Sequence, residues 1–163
     1  MPRRSSATLA IDSPERRRLP LLLRRSWYGL NQAFRRRIAH LGITPDQFTV
    51  MRTLLENNKI TQRELTRFMT SDPNTIASLL ERMEKAALIE RQTNERDRRS
   101  NFIRLKPLGR DRYEAARQIA VALQTEILAE LPKPSREPFL RHLDAVSEAC
   151  RRAAESSPKQ GSP

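Results

Sequence analysis

The chain has 163 residues, 31% of them charged and 37% hydrophobic, which is length for one ordinary domain with a core and little more. Its net charge of +12 favours a polyanionic partner, either nucleic acid or an anionic membrane surface. A single cysteine excludes an internal disulfide and a multi-cysteine metal site, and no apolar run approaches the ~20 residues that span a bilayer.

Residues 1–18 are rich in Arg, Ser and Pro and read as a disordered basic arm. The basic start, Met1–Ser5, lacks the apolar stretch of a secretory signal, so a soluble, cytoplasmic protein without a membrane partner is expected. Residues 1–41 hold ten arginines against Asp12 and Glu15, so charge by itself does not locate a binding site. A first helix is predicted from about Leu19 to Leu41. Trp27, Leu30, Phe34, Ile38 and Leu41 recur at steps of three and four on one apolar face, and Gly42 ends it. Thr44 and Pro45 then supply the cap and first position of a second helix, with Phe48, Met51, Leu54 and Leu55 as its buried stripe.

After a turn at Asn57–Lys59, Thr61-Gln62-Arg63-Glu64 is a capping-box sequence. It opens a short third helix with Leu65, Phe68 and Met69 inward. Asp72-Pro73 starts a fourth, carrying Ile76, Leu79, Leu80, Met83 and Ala87 inward. Two short helices joined by a tight connection form a helix-turn-helix. Residues 88–92 and 100–105 are β-compatible around a polar, charged stretch at 93–99, a hairpin in an otherwise helical chain. A hairpin directly after such a corner is a wing. Pro107 starts a long helix with Ala116, Ile119, Ala120, Leu123, Ile127 and Leu131 on one side. Pro132-Lys133-Pro134 breaks it, and Ser135 caps a last helix carrying Phe139, Leu143, Val146 and Cys150. Those apolar stripes exceed what a small winged domain can cover, so the surplus is expected to close a homodimer.

The predicted fold is therefore mainly α with a small β-hairpin wing. A winged helix-turn-helix at 44–106 is flanked by dimerisation helices at 19–42 and 107–155. The arm 1–18 and a frayed tail 156–163 lie outside this 19–155 domain.

On the fourth helix the outward positions are Asn74, Thr75, Ser78, Glu81, Arg82 and Lys85. Polar side chains near the N-terminal end of a recognition helix reach base edges in the major groove of duplex DNA. Asn74, Thr75 and Ser78 are candidates for bases, and Arg82 for a base or a phosphate. Any surface helix shows a polar face, so the hairpin has to carry part of the weight. Arg96, Arg98 and Arg99 on the wing suit a narrow minor groove. Asp97 reads as a structural partner of Arg99, since a carboxylate cannot bind phosphate directly. Thr61, Gln62 and Arg63 could hold a phosphate through backbone N–H groups at the third helix's N-terminus.

Residues from about 20 to 154 resemble the multiple-antibiotic-resistance-regulator (MarR) family in element order and local motifs. Leu41-Gly42-Ile43-Thr44-Pro45-Asp46-Gln47-Phe48 resembles the family's opening of the second helix, and Leu79-Leu80-Glu81-Arg82-Met83-Glu84-Lys85 its recognition-helix end. Most specific is the wing signature, Asp-x-Arg, five residues, then Leu-Thr. Here it reads Asp97, Arg98, Arg99, five residues, Leu105, with Lys106 for Thr, and Ala87 replaces the Gly common after the recognition helix. The resemblance implies a homodimeric repressor on a pseudo-palindromic operator, released by a small aromatic or phenolic ligand. Trp27, Tyr28 and Arg24 lie near where that family's ligand cleft would be, although Trp27 fits the apolar stripe and reads more readily as a core residue.

No nucleophile motif, glycine-rich phosphate loop or convergent His/Asp/Cys set is present, so no enzyme and no cofactor is expected. His40 and His142 are isolated and carry no metal chemistry. Cys150, on an apolar stripe, reads as an inert buried thiol, with an inter-subunit disulfide as the alternative. A winged-helix protein acting without ligand control, or as an adaptor that binds no DNA, is the competing function.

Overall fold

The computed structural model describes residues 14–57, 59–69, 71–94 and 97–156, with side chains described at 18–92 and 101–156 within those ranges. Six α-helices and three strands follow one another among the described residues. They are α1 (Pro14–Ile38), α2 (Pro45–Glu56), β1 (Ile60–Thr61), α3 (Gln62–Phe68), α4 (Pro73–Lys85), β2 (Ile89–Asn94), β3 (Asp97–Leu105), α5 (Pro107–Leu128) and α6 (Lys133–Ser156). The chain divides into two compact units, one ending at Ala120 and one beginning at Val121. The greater part of the expected arm and all but Ser156 of the expected tail lie outside the described residues.

In the first unit α1 begins at Pro14, five residues ahead of the expected Leu19, so residues 14–18 are helical. A proline's fixed φ suits the first helical position, and Pro14 takes that place, leaving Pro20 within the helix. A single 3₁₀ turn, Ala39–Leu41, ends at Gly42, whose φ of 65° lies in the left-handed region that a Cβ disfavours. Its N–H donates to the Ala39 carbonyl at 3.1 Å. Thr44 and Gln47 cap α2 reciprocally, and Val50, Met51 and Leu54 face the core. Phe48 joins three helices: its ring meets Phe34 of α1 edge-on at 5.0 Å and stacks on Tyr113 of α5 at 5.2 Å. The α1 side chains buried in this unit are Phe34 and Ile38.

Trp27 is 65% exposed and Leu30 47%, which corrects the placement of Trp27 in the core. Periodicity identifies a shared face but not what covers it. The same applies to Phe68, expected inward and 61% exposed. It is the last residue of α3, three positions after buried Leu65 and so about 60° away from it around the helix.

The core under the corner comes mainly from α4, where Ile76, Leu79, Leu80 and Met83 recur at helical spacing and are all buried. Burying each contributes roughly 1.5–3 kcal/mol. Past the Ala86 cap, the Leu88 N–H donates to the Met83 carbonyl and the Ala87 N–H to the Glu84 carbonyl, both at 2.9 Å. This paired closure needs a left-handed residue, and Ala87 supplies it at φ 56°. Ala87 therefore turns the chain and is only half-buried, where an inward position was expected.

The strands run further than the expected 88–92 and 100–105, and they gain a third partner. The sheet order is β1-β3-β2, all antiparallel, with Ile60 opposite Ile103 and Thr61 opposite Phe102. Ile60, Ile89 and Ile103 are buried, so one sheet face completes the core.

In the second unit, Arg136 of α6 donates from Nε to the Leu131 carbonyl at 3.1 Å and from Nη2 to the Ala129 carbonyl at 3.4 Å. The guanidinium thus satisfies carbonyls left over beyond the end of α5. Helix α6 starts at Lys133, two residues before the expected cap at Ser135, because proline is tolerated in a first turn. None of its residues is buried; Phe139 is 44% and Leu143 38% exposed. Cys150 is likewise exposed, which corrects its assignment as a buried thiol.

Candidate nucleic-acid interface

Both helices of the corner start on side-chain caps. At α3 the Thr61 N–H and hydroxyl both donate to Glu64 Oε2 at 2.8 Å, and the Glu64 N–H returns to Thr61 Oγ1 at 3.3 Å. Donation from the Thr61 N–H, then from its hydroxyl, holds the Glu64 carboxyl below the usual carboxylate range. At α4 the Asp72 Oδ1 accepts from the N–H groups of Asn74 and Thr75 at 3.0 and 2.9 Å, while Oδ2 accepts from the Thr75 hydroxyl. Those donors, the Thr75 hydroxyl first, lower the Asp72 carboxyl.

The caps bear on the sequence-predicted contacts. Asn74, Thr75, Ser78 and Arg82 are all exposed on α4. The Thr75 proton is committed to Asp72, however, so its hydroxyl has only acceptor capacity left to offer. Thr61 is half-buried and engaged by Glu64, so it serves as a cap first. That leaves the N–H groups of Gln62 and Arg63 as the donors at the start of α3 that no bond within the helix can satisfy.

The wing follows directly. Glu90 lies opposite Arg104, Gln92 opposite Phe102 and Asn94 opposite Asp97, with a register shift between Thr93 and Asn94. The backbone of Asp97, Arg98 and Arg99 lies in β3, while their side chains, and Arg96 entirely, lie outside the described residues. On one face of the wing Arg104 Nη1 donates to Gln92 Oε1 at 3.1 Å, and Gln92 Nε2 to Glu90 Oε1 at 2.9 Å. Arg91 instead reaches back to α4 and meets Glu84 at 3.4 Å. Glu84 was read only as part of the recognition-helix end, with no partner assigned. The alternation along β2, which puts Arg91 on the face of buried Ile89, was the available signal for its partner.

Trp27, Tyr28 and Arg24 are exposed on α1, and the Tyr28 hydroxyl accepts from Gln32 Nε2 at 3.2 Å. They are not part of the aromatic cluster of this unit, which Phe34, Phe48 and Tyr113 form. Tyr113 had not been singled out. Among the described residues no group of three or more His, Cys, Asp or Glu side chains could hold a metal ion. Nor is any described helix long and apolar enough to cross a membrane.

Comparison with known proteins agrees with this geometry. The MarR family profile matches residues 43–100, from the start of α2 into the wing. The transcriptional regulator HosA of Escherichia coli is 28% identical over 125 residues, covering 74% of this chain and 93% of HosA. The HTH-type transcriptional repressor Rv2887 of Mycobacterium tuberculosis is 27% identical over 138 residues, covering 85% of this chain and 96% of that protein. Among solved structures, Staphylococcus aureus MepR in a DNA complex matches with a TM-score of 0.74 at 20% identity, over 80% of this chain and 96% of MepR. Profile, relatives and fold agree: the chain resembles MarR-family proteins, and its winged helix-turn-helix is of the kind carried by DNA-binding transcriptional regulators.

Proposed function

We propose that this protein is a homodimeric repressor that reads a pseudo-palindromic DNA operator with α4 and grips the flanking minor groove with its wing. The observation that carries this is the exposed N-terminal half of α4, with the side chains of Asn74 and Ser78 outside the cap, followed at once by a hairpin bearing Arg98 and Arg99. Asn and Ser are side chains that hydrogen-bond base edges, and guanidinium groups suit the concentrated negative potential of a narrow minor groove. Arg82, Arg96, Gln62 and Arg63 add base or phosphate contacts around them, and Asp97 shapes the hairpin. The net charge of +12 supports a polyanion partner. The MepR structure, which shares the fold, was solved with DNA.

The winged lobe is residues 44–106, and the helices on either side form the dimer. Exposed Trp27 and Leu30 on α1 and exposed Phe139 and Leu143 on α6 are large apolar side chains of the kind a partner copy covers. Two copies would set their recognition helices one DNA turn apart, ~34 Å, which fixes the half-site spacing. A small aromatic or phenolic ligand near Trp27, Tyr28 and Arg24 would release DNA only by binding the two conformations unequally. The protein acts in the cytoplasm, where its operator is.

Selection of duplexes from a randomised pool, repeated with aromatic acids present, tests the whole reading. The expected result is one two-fold symmetric site with half-sites about one helical turn apart, lost with an aromatic acid. Recovery of no common sequence would leave an adaptor or a non-specific DNA binder. A common site that no aromatic acid disturbs would leave a constitutive regulator.

A further inference from the structure

Four charged side chains form a ladder over the second half of α4 and the strand that follows. Lys85 Nζ holds Glu81 at 2.7 Å along the exposed face of the helix. Glu84, in the last turn, is met at 3.4 Å by Nε of Arg91, which comes from β2. The hydrogen bond and charge of Lys85 keep the Glu81 carboxyl below its ordinary range, and the charge of Arg91 adds to that pull. Arg91 therefore pairs with Glu84 and adds a weaker attraction at Glu81.

Its place in the sheet matters as much as its charge. Arg91 lies opposite Ile103, which is buried and in turn lies opposite Ile60. It also shares a face with buried Ile89 two residues earlier. The first side chain of the wing beyond the core is thus an arginine whose stem follows the core edge and whose head holds the recognition helix. On the opposite face Arg104 is already engaged by Gln92. Among the described side chains, Glu84–Arg91 is the ion pair that joins the wing to α4.

We propose that Arg91 is a positioning residue of the DNA interface, fixing the angle between wing and recognition helix through Glu84. The proposal rests on the DNA-binding reading above. A helix in the major groove and a hairpin at the minor groove engage one duplex together only if their mutual angle is held. An exposed pair of this kind is worth up to about five-fold in an equilibrium. A cation at this place also stands near the C-terminal end of α4, where the helix dipole favours it.

The test uses the full chain and three variants: Arg91→Gln, Glu84→Gln, and the charge swap Glu84→Arg with Arg91→Glu. Each is titrated against a duplex recovered by selection and a random-sequence duplex of equal length. Both single variants should lower the ratio of the two affinities by about two- to five-fold, and the swap should restore it. If Arg91→Gln weakens both duplexes equally while Glu84→Gln leaves the ratio unchanged, Arg91 is merely a phosphate contact and the proposal is overturned. Amide exchange on the free protein supplies the readout that needs no DNA. The β2 and β3 amides around Arg91 and Ile103 should exchange several-fold faster in both single variants and recover in the swap. Unchanged exchange overturns the proposal too. Should the unaltered protein prefer no duplex, the DNA reading fails, and exchange alone still decides the pairing.

Discussion

A methyl group placed on Gly109 would stand 2.2 Å from the carbonyl oxygen of Leu88 and 2.9 Å from the Leu105 side chain. The same Leu88 carbonyl accepts the Lys106 N–H at 3.0 Å, so the start of α5 is drawn onto the base of the wing until only hydrogen fits between them. Gly109→Ala is expected to cost roughly 1–3 kcal/mol through overpacking against backbone that cannot swing aside. Chemical denaturation would show it as a lower midpoint at unchanged slope. A midpoint equal to that of the parent would mean that the contact relaxes freely.

Ala87 presents the opposite case, a residue with a Cβ where the backbone asks for none. Its φ of 56° carries a penalty of about 1–2 kcal/mol, partly offset by the extra chain entropy that glycine loses on folding. Ala87→Gly should therefore stabilise the protein by about 0.5–1 kcal/mol. Urea unfolding checks the sign.

The cap of the recognition helix makes stability pH-dependent. Asp72 titrates lower folded than unfolded, because the Thr75 hydroxyl and the N–H groups of Thr75 and Asn74 donate to its carboxylate. Its contribution is then complete above the unfolded value of about 3.9, and it fades as pH falls through the lower folded value. Asp72→Asn keeps a capping side chain but has no proton to gain. In that variant the acid limb of the melting-temperature profile should be shallower than in the parent. Equal limbs would show that other carboxylates govern it.

For DNA contacts the two halves of the interface predict different signatures. Arg98→Ala and Arg99→Ala should each weaken binding to every duplex and reduce the salt slope by about one unit. Ser78→Ala or Asn74→Ala should instead relax choice at one base pair, by roughly 1–3 kcal/mol for a bidentate contact. Losses that are equal on selected and random duplex would remove Ser78 and Asn74 from base reading.

Self-association is testable on α6. Phe139→Asp, at a residue 44% exposed in the single chain, should raise the dimer dissociation constant at least tenfold, a loss of about 1.4 kcal/mol. Sedimentation equilibrium reads this directly. An unaltered constant would place the dimer contact elsewhere.

The starts of α2, α3 and α4 were legible to the residue because each is written in local chemistry. Thr44 with Pro45, Thr61 with Glu64 and Asp72 with Pro73 specify a cap within four positions. Strand β1 was not legible, since Ile60–Thr61 is too short to alternate and exists only because β3 has a free edge there. The exposure of Trp27, Phe68 and Cys150 was equally hidden. A stripe records which side chains travel together, while their cover comes from residues far away in the sequence. Thr75 is the subtler case: it points outward as its spacing requires, yet its proton is spent on Asp72. For the wing, the existence of a hairpin was readable; its register and the Arg91–Glu84 link were not, because alternation along β2 gives the face of Arg91 but not which residue of α4 lies beneath it.

The central strand has a further consequence for how such a protein can diverge. Strand β3 is flanked on both sides only where Ile103 and Phe102 meet β1; from Asn101 outward to Asp97 its described partner is β2 alone. It is a cantilever, anchored at the root and loaded at the tip. Changes in length or charge near its outer end leave the anchor and the core untouched, so affinity for different DNA can drift at little cost to folding. The root, with Ile60, Ile103 and Gly109, has no such freedom.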